Sequence, residues 1–133
     1  MRLVLDTSAA VRLVMRAETV DELLEPVSAA TLVAAPSLYA GEVANALWKY
    51  VKADRLEVET GLERYGEAIN LIDDFIPDRE LATEAFMEAV RYRHPVYDLL
   101  YAVLARRTGC AILTLDQRLK TLAGQIGIST IPA

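Results

Sequence analysis

The sequence predicts an α/β fold in which short buried strands alternate with helices around a mostly parallel sheet. The first observation is a set of short apolar runs without polar alternation, such as Leu32-Val33-Ala34-Ala35 and Cys110-Ala111-Ile112-Leu113. Such runs are typical of strands that are buried on both faces. The second observation is the amphipathic, helix-length segments between them, because strands that alternate with helices form parallel sheets with right-handed crossovers.

The predicted elements of the first half are strands at 2–6 and 32–35 and helices at 8–16, 19–29, 37–54 and 57–73. Asp6 closes the first strand, and small hydroxyl residues open the helix behind it. Pro26 should end or kink its helix, because proline lacks the backbone N–H. Pro36 and Ser37 stop the second strand and begin the next helix. The last two helices are adjacent and form an αα-hairpin.

The predicted elements of the second half are strands at 75–76, 110–114 and 126–131 and helices at 79–92 and 95–107. Asp78 is expected to cap the first of these helices. Pro95 is well placed as the first residue of the second helix, and Gly109 as the residue that ends it. The strand at 126–131 is expected at an edge of the sheet.

The size and composition describe one folded domain, expected to span residues 1–133. Of the 133 residues, 53% are hydrophobic, which is enough to bury a core. No apolar run reaches the roughly 20 residues of a membrane span, and the N-terminus lacks a secretory signal pattern. We therefore expect a cytoplasmic protein. Cys110 is expected to be a buried core residue, and the lone His94 a partly exposed residue that cannot build a histidine metal cluster.

Helix 37–54 is apolar on two sides. One face carries Tyr39, Val43, Ala46, Leu47 and Tyr50, and the nearly opposite face carries Ala44, Trp48 and Val51. Two interpretations of the Trp48 face stay open. It packs against helix 57–73, or it forms a groove for a helix of a partner protein.

Four acidic residues are predicted to meet at one edge of the sheet: Asp6, Glu42, Asp98 and Asp116. Asp6 and Asp116 follow strands, Glu42 lies one or two turns into the helix after the second strand, and Asp98 lies in the first turn of its helix. In a parallel sheet, all strand-to-helix loops open on the same edge. Each acid also has an ordinary structural interpretation, as a helix cap, a helix-dipole partner, a turn residue or a solvated flank.

Together the four acids predict a metal site. Two unit charges about 4 Å apart repel by roughly 4 kcal/mol at an effective dielectric constant near 20, which raises carboxyl pKa values. A divalent cation removes this conflict, and oxygen ligands suit Mg²⁺ or Mn²⁺. Next to a phosphodiester, such an ion would activate water for hydrolysis. Four neighbouring polar residues would orient that water or the phosphate, or else cap helices: Thr7, Ser8, Asn45 and Thr114.

Four motifs resemble, in order, the motifs of PIN-domain ribonucleases. They are Leu5-Asp6-Thr7-Ser8, Glu42-Val43-Ala44-Asn45, Tyr97-Asp98-Leu99-Leu100-Tyr101 and Leu113-Thr114-Leu115-Asp116-Gln117-Arg118-Leu119. The short chain and the E-x-x-N motif resemble the VapC-type toxins of prokaryotic toxin–antitoxin pairs. The resemblance extends over nearly the whole chain, and it holds at all four acidic positions.

The resemblance implies a Rossmann-like, three-layer α/β/α PIN fold with the first and fourth strands adjacent. It implies that Asp6, Glu42, Asp98 and Asp116 are the catalytic, metal-binding acids. The activity implied is Mg²⁺- or Mn²⁺-dependent endonucleolytic cleavage of RNA, inhibited by a cognate antitoxin. A homodimer is also expected.

Basic residues near the acids are the candidate RNA contacts. The formal net charge of −5 means that nucleic acid must bind through a local basic patch, unless the acids are neutralised by metal. The candidates are Arg12, Arg16, Lys49, Lys52, Arg118 and Lys120, with a further cluster at Arg91-Tyr92-Arg93-His94. Each of them would equally serve as a solvated surface charge.

A second hypothesis is a PIN-like module without catalysis that binds a partner protein through its helical surface. It predicts negligible metal affinity and partner binding that survives loss of the acids. A phosphatase or a receiver domain fits less well. Haloacid-dehalogenase-like phosphatases need Asp-x-Asp after the first strand, whereas Ser8 follows Asp6 by two residues, and the acidic pair of a receiver is not found.

Overall fold

A computed structural model describes residues 1–18 and 20–132 of the chain. Within them, five strands form one sheet: β1 (Arg2–Leu5), β2 (Leu32–Pro36), β3 (Asp74–Ile76), β4 (Ala111–Leu113) and β5 (Thr130–Ile131). Their order is β3-β2-β1-β4-β5, and all four neighbouring pairs are parallel. Leu5 of β1 pairs with Leu113 of β4, so the expected adjacency of the first and fourth strands is confirmed.

The helices of the described residues are α1 (Thr7–Val14), α2 (Asp21–Ala29), α3 (Leu38–Lys52), α4 (Val58–Asn70), α5 (Asp78–Tyr92), α6 (Val96–Thr108) and α7 (Gln117–Ile126). Helix α6 packs on β1, β2 and β4 and is covered by α5, whereas α1, α3 and α4 pack on one another. The α3–α4 pair is the predicted hairpin, and the architecture is the expected α/β fold.

The core is formed by the central strands and α6. Leu3, Val4 and Leu5 of β1 are fully buried, as are Ile112 and Leu113 of β4. All residues from Leu99 to Ala105 are also buried, so α6 lies within the core rather than on the surface. Because the carboxyl ends of β1 and β4 emerge from this close-packed region, side chains just beyond them are held on a rigid base.

The last predicted strand is wrong over most of its length. Ile126 is the final residue of α7, which ends at Gly127 in the left-handed conformation with φ of 86°. The helix forms because Leu119, Leu122 and Ala123 recur at helical spacing and are buried. Only Thr130 and Ile131 pair with β4, at the edge of the sheet as predicted.

Pro26 does not end its helix, because α2 continues to Ala29. The carbonyl that would accept a bond from residue 26 belongs to Glu22, which is an exposed residue. The loss of this hydrogen bond is therefore tolerated at the surface. The predicted start of this helix, residue 19, lies outside the described residues.

Asp78 stabilises the start of a different helix from the one it was predicted to cap. It is the first residue of α5, and its Oδ1 accepts a hydrogen bond from the Leu38 N–H at the start of α3, at 3.0 Å. The Asp78 N–H donates in turn to Ser37 Oγ, also at 3.0 Å. Pro95 occupies the N-cap of α6, one position before the predicted one, and Gly109 ends that helix as predicted.

The Trp48 face of α3 is not buried against the hairpin partner. Trp48 is 53% exposed, and a cavity of about 290 Å³ lies between α3 and α4. Its lining is almost wholly apolar: Ala44, Leu47, Trp48, Val51, Val58, Gly61, Leu62 and Tyr65. We call it the hairpin groove.

None of the helices within 1–18 and 20–132 has the length and apolar character needed to span a bilayer.

Candidate active site

The four predicted acids lie at the starts of four helices. Asp6 is the N-cap residue of α1 and Asp116 that of α7, while Asp98 is the third residue of α6 and Glu42 the fifth of α3. Each helix begins beyond the carboxyl edge of the sheet or faces that edge. Topology thus delivers the acids to the rim where open parallel sheets bind ligands.

Asp6 is held by two hydroxyl groups. It is 6% exposed, and its Oδ2 accepts hydrogen bonds from Ser8 Oγ and Thr114 Oγ1, each at 2.7 Å. It occupies the N-cap position of α1 without a well-aligned capping hydrogen bond. The backbone N–H of Ser8, in the first turn of α1, nonetheless lowers the Asp6 pKa, so the carboxylate keeps an interaction with the start of that helix.

Thr114 ties the ends of β1 and β4 together. It is fully buried, donates to Asp6 and accepts the Asp116 N–H at 3.0 Å. Ser8 Oγ similarly accepts the Leu115 N–H at 2.9 Å while it donates to Asp6. Two hydroxyls thus connect Asp6 to the loop that carries Asp116, which fixes the two strand-end acids relative to each other.

Glu42 is bound by a threonine and a buried tyrosine. Its Oε1 accepts from Tyr101 Oη at 2.7 Å and from Thr7 Oγ1 at 3.1 Å. Tyr101 is 1% exposed, and burial together with the charge of Glu42 raises the pKa of its hydroxyl. The Tyr101 hydroxyl therefore stays protonated and donates its hydrogen bond to Glu42.

Asp98 and Asp116 have fewer partners. His94 Nε2 lies 3.4 Å from Asp98 Oδ2. Burial raises the pKa of Asp98, and the positive charges of His94 and Arg118 offset only part of this rise. Asp116 Oδ1 accepts the Arg118 N–H at 2.9 Å. Asp116 therefore caps α7 rather than standing in a simple turn, as its structural interpretation had it, and this role uses one of its two carboxylate oxygens.

The acids are electrostatically coupled. Burial raises the pKa of Asp6, Glu42 and Asp98 first of all, and the negative charge of neighbouring acids raises them further. Asp116 acts on Asp6 and Asp98, and Asp6 acts on Glu42 and Asp98. The carboxylates thus lie within range of one another and share a low-dielectric rim, which favours an added cation.

The donors of this rim fit a hard divalent cation. Hydrogen bonds between the described residues engage Oδ2 of Asp6, Oε1 of Glu42 and Oδ1 of Asp116. Among residues 1–18 and 20–132, no three His, Cys, Asp or Glu side chains are arranged to hold a metal ion directly. The acids therefore do not form the closed cage that four converging carboxylates would make. Mg²⁺ usually binds one or two carboxylates directly and keeps several waters, so it does not require such a cage.

A cavity of about 630 Å³ opens next to Thr7, Ser8 and Glu42, between α1 and α3. Among the predicted polar and basic contacts, Asn45, Arg12 and Lys49 line it. Arg118 lies on the Asp98 side of the rim. The structure does not bring Arg16 into this cavity, because its guanidinium pairs with Glu67 at 3.2 Å.

Two residues of the rim were missed as site residues by sequence reasoning. Tyr101 was quoted only as part of a motif, although it lies three residues after Asp98 and so on a neighbouring part of the same helix surface. His94 was considered for function only within the Arg91-Tyr92-Arg93-His94 cluster of candidate RNA contacts and was not expected beside an acid. Its spacing of four residues from Asp98 was the available signal, and its side chain is 14% exposed rather than solvated.

Comparison with known proteins agrees with this architecture. The PIN domain family model matches residues 3–125. A curated relative from Pyrobaculum aerophilum named Ribonuclease VapC3 is 33% identical over 128 residues, covering 90% of this chain and 92% of the relative.

Two solved structures share the fold at low sequence identity. PAE2754 from Pyrobaculum aerophilum superposes with a TM-score of 0.76 at 22% identity, over 99% of this chain and 85% of that one. VapBC2 from Rickettsia felis, bound to a DNA fragment from its promoter, gives 0.67 at 15% identity, over 98% and 97%. The family match and the curated relative show that the chain belongs to the PIN domain family, as a VapC-like member of it.

Proposed function

We propose that this chain, as a single PIN domain over residues 1–133, is a metal-dependent endoribonuclease and the toxin of a toxin–antitoxin pair. The observation that carries the proposal is the coupled set of four acids, with Asp6 and Asp116 linked through the buried Thr114 hydroxyl. The name of the curated relative, Ribonuclease VapC3, supports the choice of RNA as substrate.

In this proposal the four acids would hold Mg²⁺ or Mn²⁺ at the rim partly through bound waters, because no three of them in the described residues are arranged to bind one ion directly. The bound ion would polarise the phosphodiester and lower the pKa of water. Ser8 and Thr114 keep Asp6 Oδ2 engaged, so that the other oxygen faces the ligand. Thr7 and Tyr101 do the same for Glu42. Asn45 lines the adjoining cavity and would contact the scissile phosphate.

The protein partners are a cognate antitoxin and a second copy of the chain. The hairpin groove is apolar, and it leaves Trp48 53% exposed. Large exposed apolar surfaces of this kind mark protein-binding sites. An amphipathic helix of the antitoxin would fit such a groove through its apolar face. The solved VapBC2 structure supports an antitoxin partner by analogy.

Substitution of two acids tests the activity. We expect purified protein with Mg²⁺ or Mn²⁺ to cleave RNA, and Asp6→Asn and Asp116→Asn each to reduce cleavage by about 10³-fold, the upper range for losing one transition-state electrostatic contact. The matched control is Asp21→Asn, which neutralises an exposed acid in the first turn of α2. Cleavage that survives both rim substitutions would refute the site assignment.

The second candidate is a binding module without catalysis, which the open hairpin groove and the lack of a closed metal cage in the described residues favour. Calorimetric titration with Mn²⁺ separates the two functions. The ribonuclease proposal requires binding heat that Asp6→Asn reduces. Absence of binding heat, together with partner binding that survives Asp6→Asn, would select the binding module.

A further inference from the structure

A groove runs away from Glu42 between α1 and α3. Its volume is about 630 Å³. One helical face of α1, with Val11 and Arg12, and one of α3, with Glu42, Lys49 and Tyr50, form its walls. Glu42 and Tyr50 are eight residues apart, so the groove extends for about 12 Å along α3. We call it the α1–α3 groove.

The charge of this groove is opposite to that of the whole chain. The protein carries a formal net charge of −5, whereas the groove lining contains three cations, Arg12, Lys49 and Arg55, and one acid, Glu42 at the rim. Lys49 and Arg55 are exposed, and neither is within ion-pair distance of a carboxylate in the described part of the chain. The groove is therefore a local basic patch, which an acidic protein needs to bind nucleic acid.

The floor of the groove offers an aromatic and apolar surface between the charges. Tyr50 is half-buried and follows Lys49 directly on α3. Val11, Met15 and Ala46 supply the apolar area around it. Cations that track a backbone, combined with an aromatic ring on which a base stacks, are the features that bind single-stranded nucleic acid. A duplex would not use the ring, because its bases are already stacked on one another.

We propose that the α1–α3 groove binds single-stranded RNA on one side of the scissile phosphate, with Lys49 and Arg55 on backbone phosphates and a base stacked on Tyr50. This inference rests on the proposed function, because it places the substrate strand next to the catalytic acids. It adds two residues, Tyr50 and Arg55, that the sequence did not mark as RNA contacts.

The test is binding rather than cleavage. An Asp6→Asn background keeps the RNA intact, and the anisotropy of fluorescein-labelled polyuridine reports affinity as a function of salt. Lys49→Ala should weaken binding and reduce the slope of log K against log salt by about 0.7. Lys52→Ala is the matched control, because it removes the same charge from the same helix. The Lys52 ammonium group lies outside the groove, 5.1 Å from the ring centre of Trp48.

Tyr50 is tested by a pair of substitutions. Tyr50→Phe keeps the ring and should retain affinity, whereas Tyr50→Leu keeps bulk and should lose about tenfold. Equal losses for Lys49→Ala and Lys52→Ala would overturn the inference. So would equal binding of polyuridine and of a duplex of the same length, or variants that keep RNA affinity and lose only antitoxin binding.

The outcome also separates this inference from the proposed function. If wild-type protein cleaves no RNA and the groove variants still lose polyuridine binding, the ribonuclease proposal fails and the groove assignment stands. If wild-type protein cleaves RNA while Lys49→Ala and Tyr50→Leu bind and cleave like it, the groove assignment fails alone.

Discussion

The acidic rim and the hairpin groove use the same helix in opposite ways. On one side of α3, Glu42 is held by Tyr101 and Thr7, and the nearby Asp6 is held by Ser8 and Thr114. On the other side, Trp48 is 53% exposed above an apolar groove. The hydrogen bonds of the rim hold its acids in place without a ligand, and a bound cation would relieve the repulsion between them. The groove is an apolar surface that a partner would complete. Substitutions at the two surfaces should therefore differ in whether they change the chemistry of the chain or only its binding to a partner.

Among the residues that support the acids, the largest effect is expected at the buried Thr114. Thr114→Val keeps the side-chain shape but removes the donor to Asp6 Oδ2 and the acceptor of the Asp116 N–H. We expect the rate of RNA cleavage to fall by about 100-fold, and the free energy of unfolding to fall by about 1–3 kcal/mol because polar groups lose their partner.

Thr114→Ser restores the hydroxyl and should recover most of the rate, which a packing defect would not do. The control is Thr108→Val, whose hydroxyl bonds the Leu104 carbonyl at the far end of α6. Full cleavage by Thr114→Val would show that the rim does not depend on this link.

A smaller effect is expected from Tyr101→Phe. The Tyr101 hydrogen bond lowers the pKa of Glu42, so its removal should raise that pKa further above the ordinary value. Cleavage should fall by about tenfold, and the acid limb of the pH–rate profile should move to higher pH. Tyr97→Phe, on the exposed part of the same helix, is the control. An unchanged pH profile in Tyr101→Phe would place Glu42 outside the rate-determining chemistry.

Much of this contrast was predictable because it follows from topology. A strand buried on both faces is a short, wholly apolar run, which located β1, β2 and β4 within about two residues. Once the sheet is parallel, Asp6 and Asp116 must share an edge. The hydrogen-bond partners of the Asp6 side chain could be predicted only in part. Ser8 and Thr114 were named as neighbours, but only the structure shows that both hydroxyls meet the same carboxylate oxygen.

Other features of the structure could not be predicted from the sequence, because the local sequence pattern fits more than one structure. Ile126-Gly127-Ile128 alternates as a strand does, whereas burial of Leu119 and Leu122 decides for a helix that ends at Ile126. Asp78 carries the signature of a helix cap, but which helix it serves depends on how α3 and α5 meet in space. Exposure of Trp48 likewise depends on the distance between two helices, which their apolar periodicity does not encode.

The repulsion at the rim predicts a stability effect of a few degrees. The pKa values of Asp6, Glu42 and Asp98 are raised in the folded chain by burial and then by neighbouring acids. Their contribution to stability is therefore fully present below the ordinary carboxyl pKa of about 4 and is lost as pH rises through the raised folded values.

Asp98→Asn should accordingly raise the unfolding temperature of metal-free protein at pH 7 by about 2–5 °C, the result of about 1 kcal/mol in a domain of this size. Mg²⁺ should stabilise wild type more than the variant. Asp74→Asn, at an exposed acid, is the control for general charge. A lower unfolding temperature in Asp98→Asn would mean that its contact with His94 outweighs the repulsion.

The smallest effect on the isolated chain is expected at the hairpin groove. Trp48 is exposed, so Trp48→Ala should change the free energy of unfolding by about 0.5 kcal/mol or less and leave RNA cleavage unchanged. Affinity for the antitoxin should fall by about 2 kcal/mol or more, because aromatic anchors in grooves dominate such interfaces. Denaturant unfolding and calorimetry with the antitoxin measure the two quantities. Large destabilisation without loss of affinity would make Trp48 a core residue, and α3 would then have no open side for a partner.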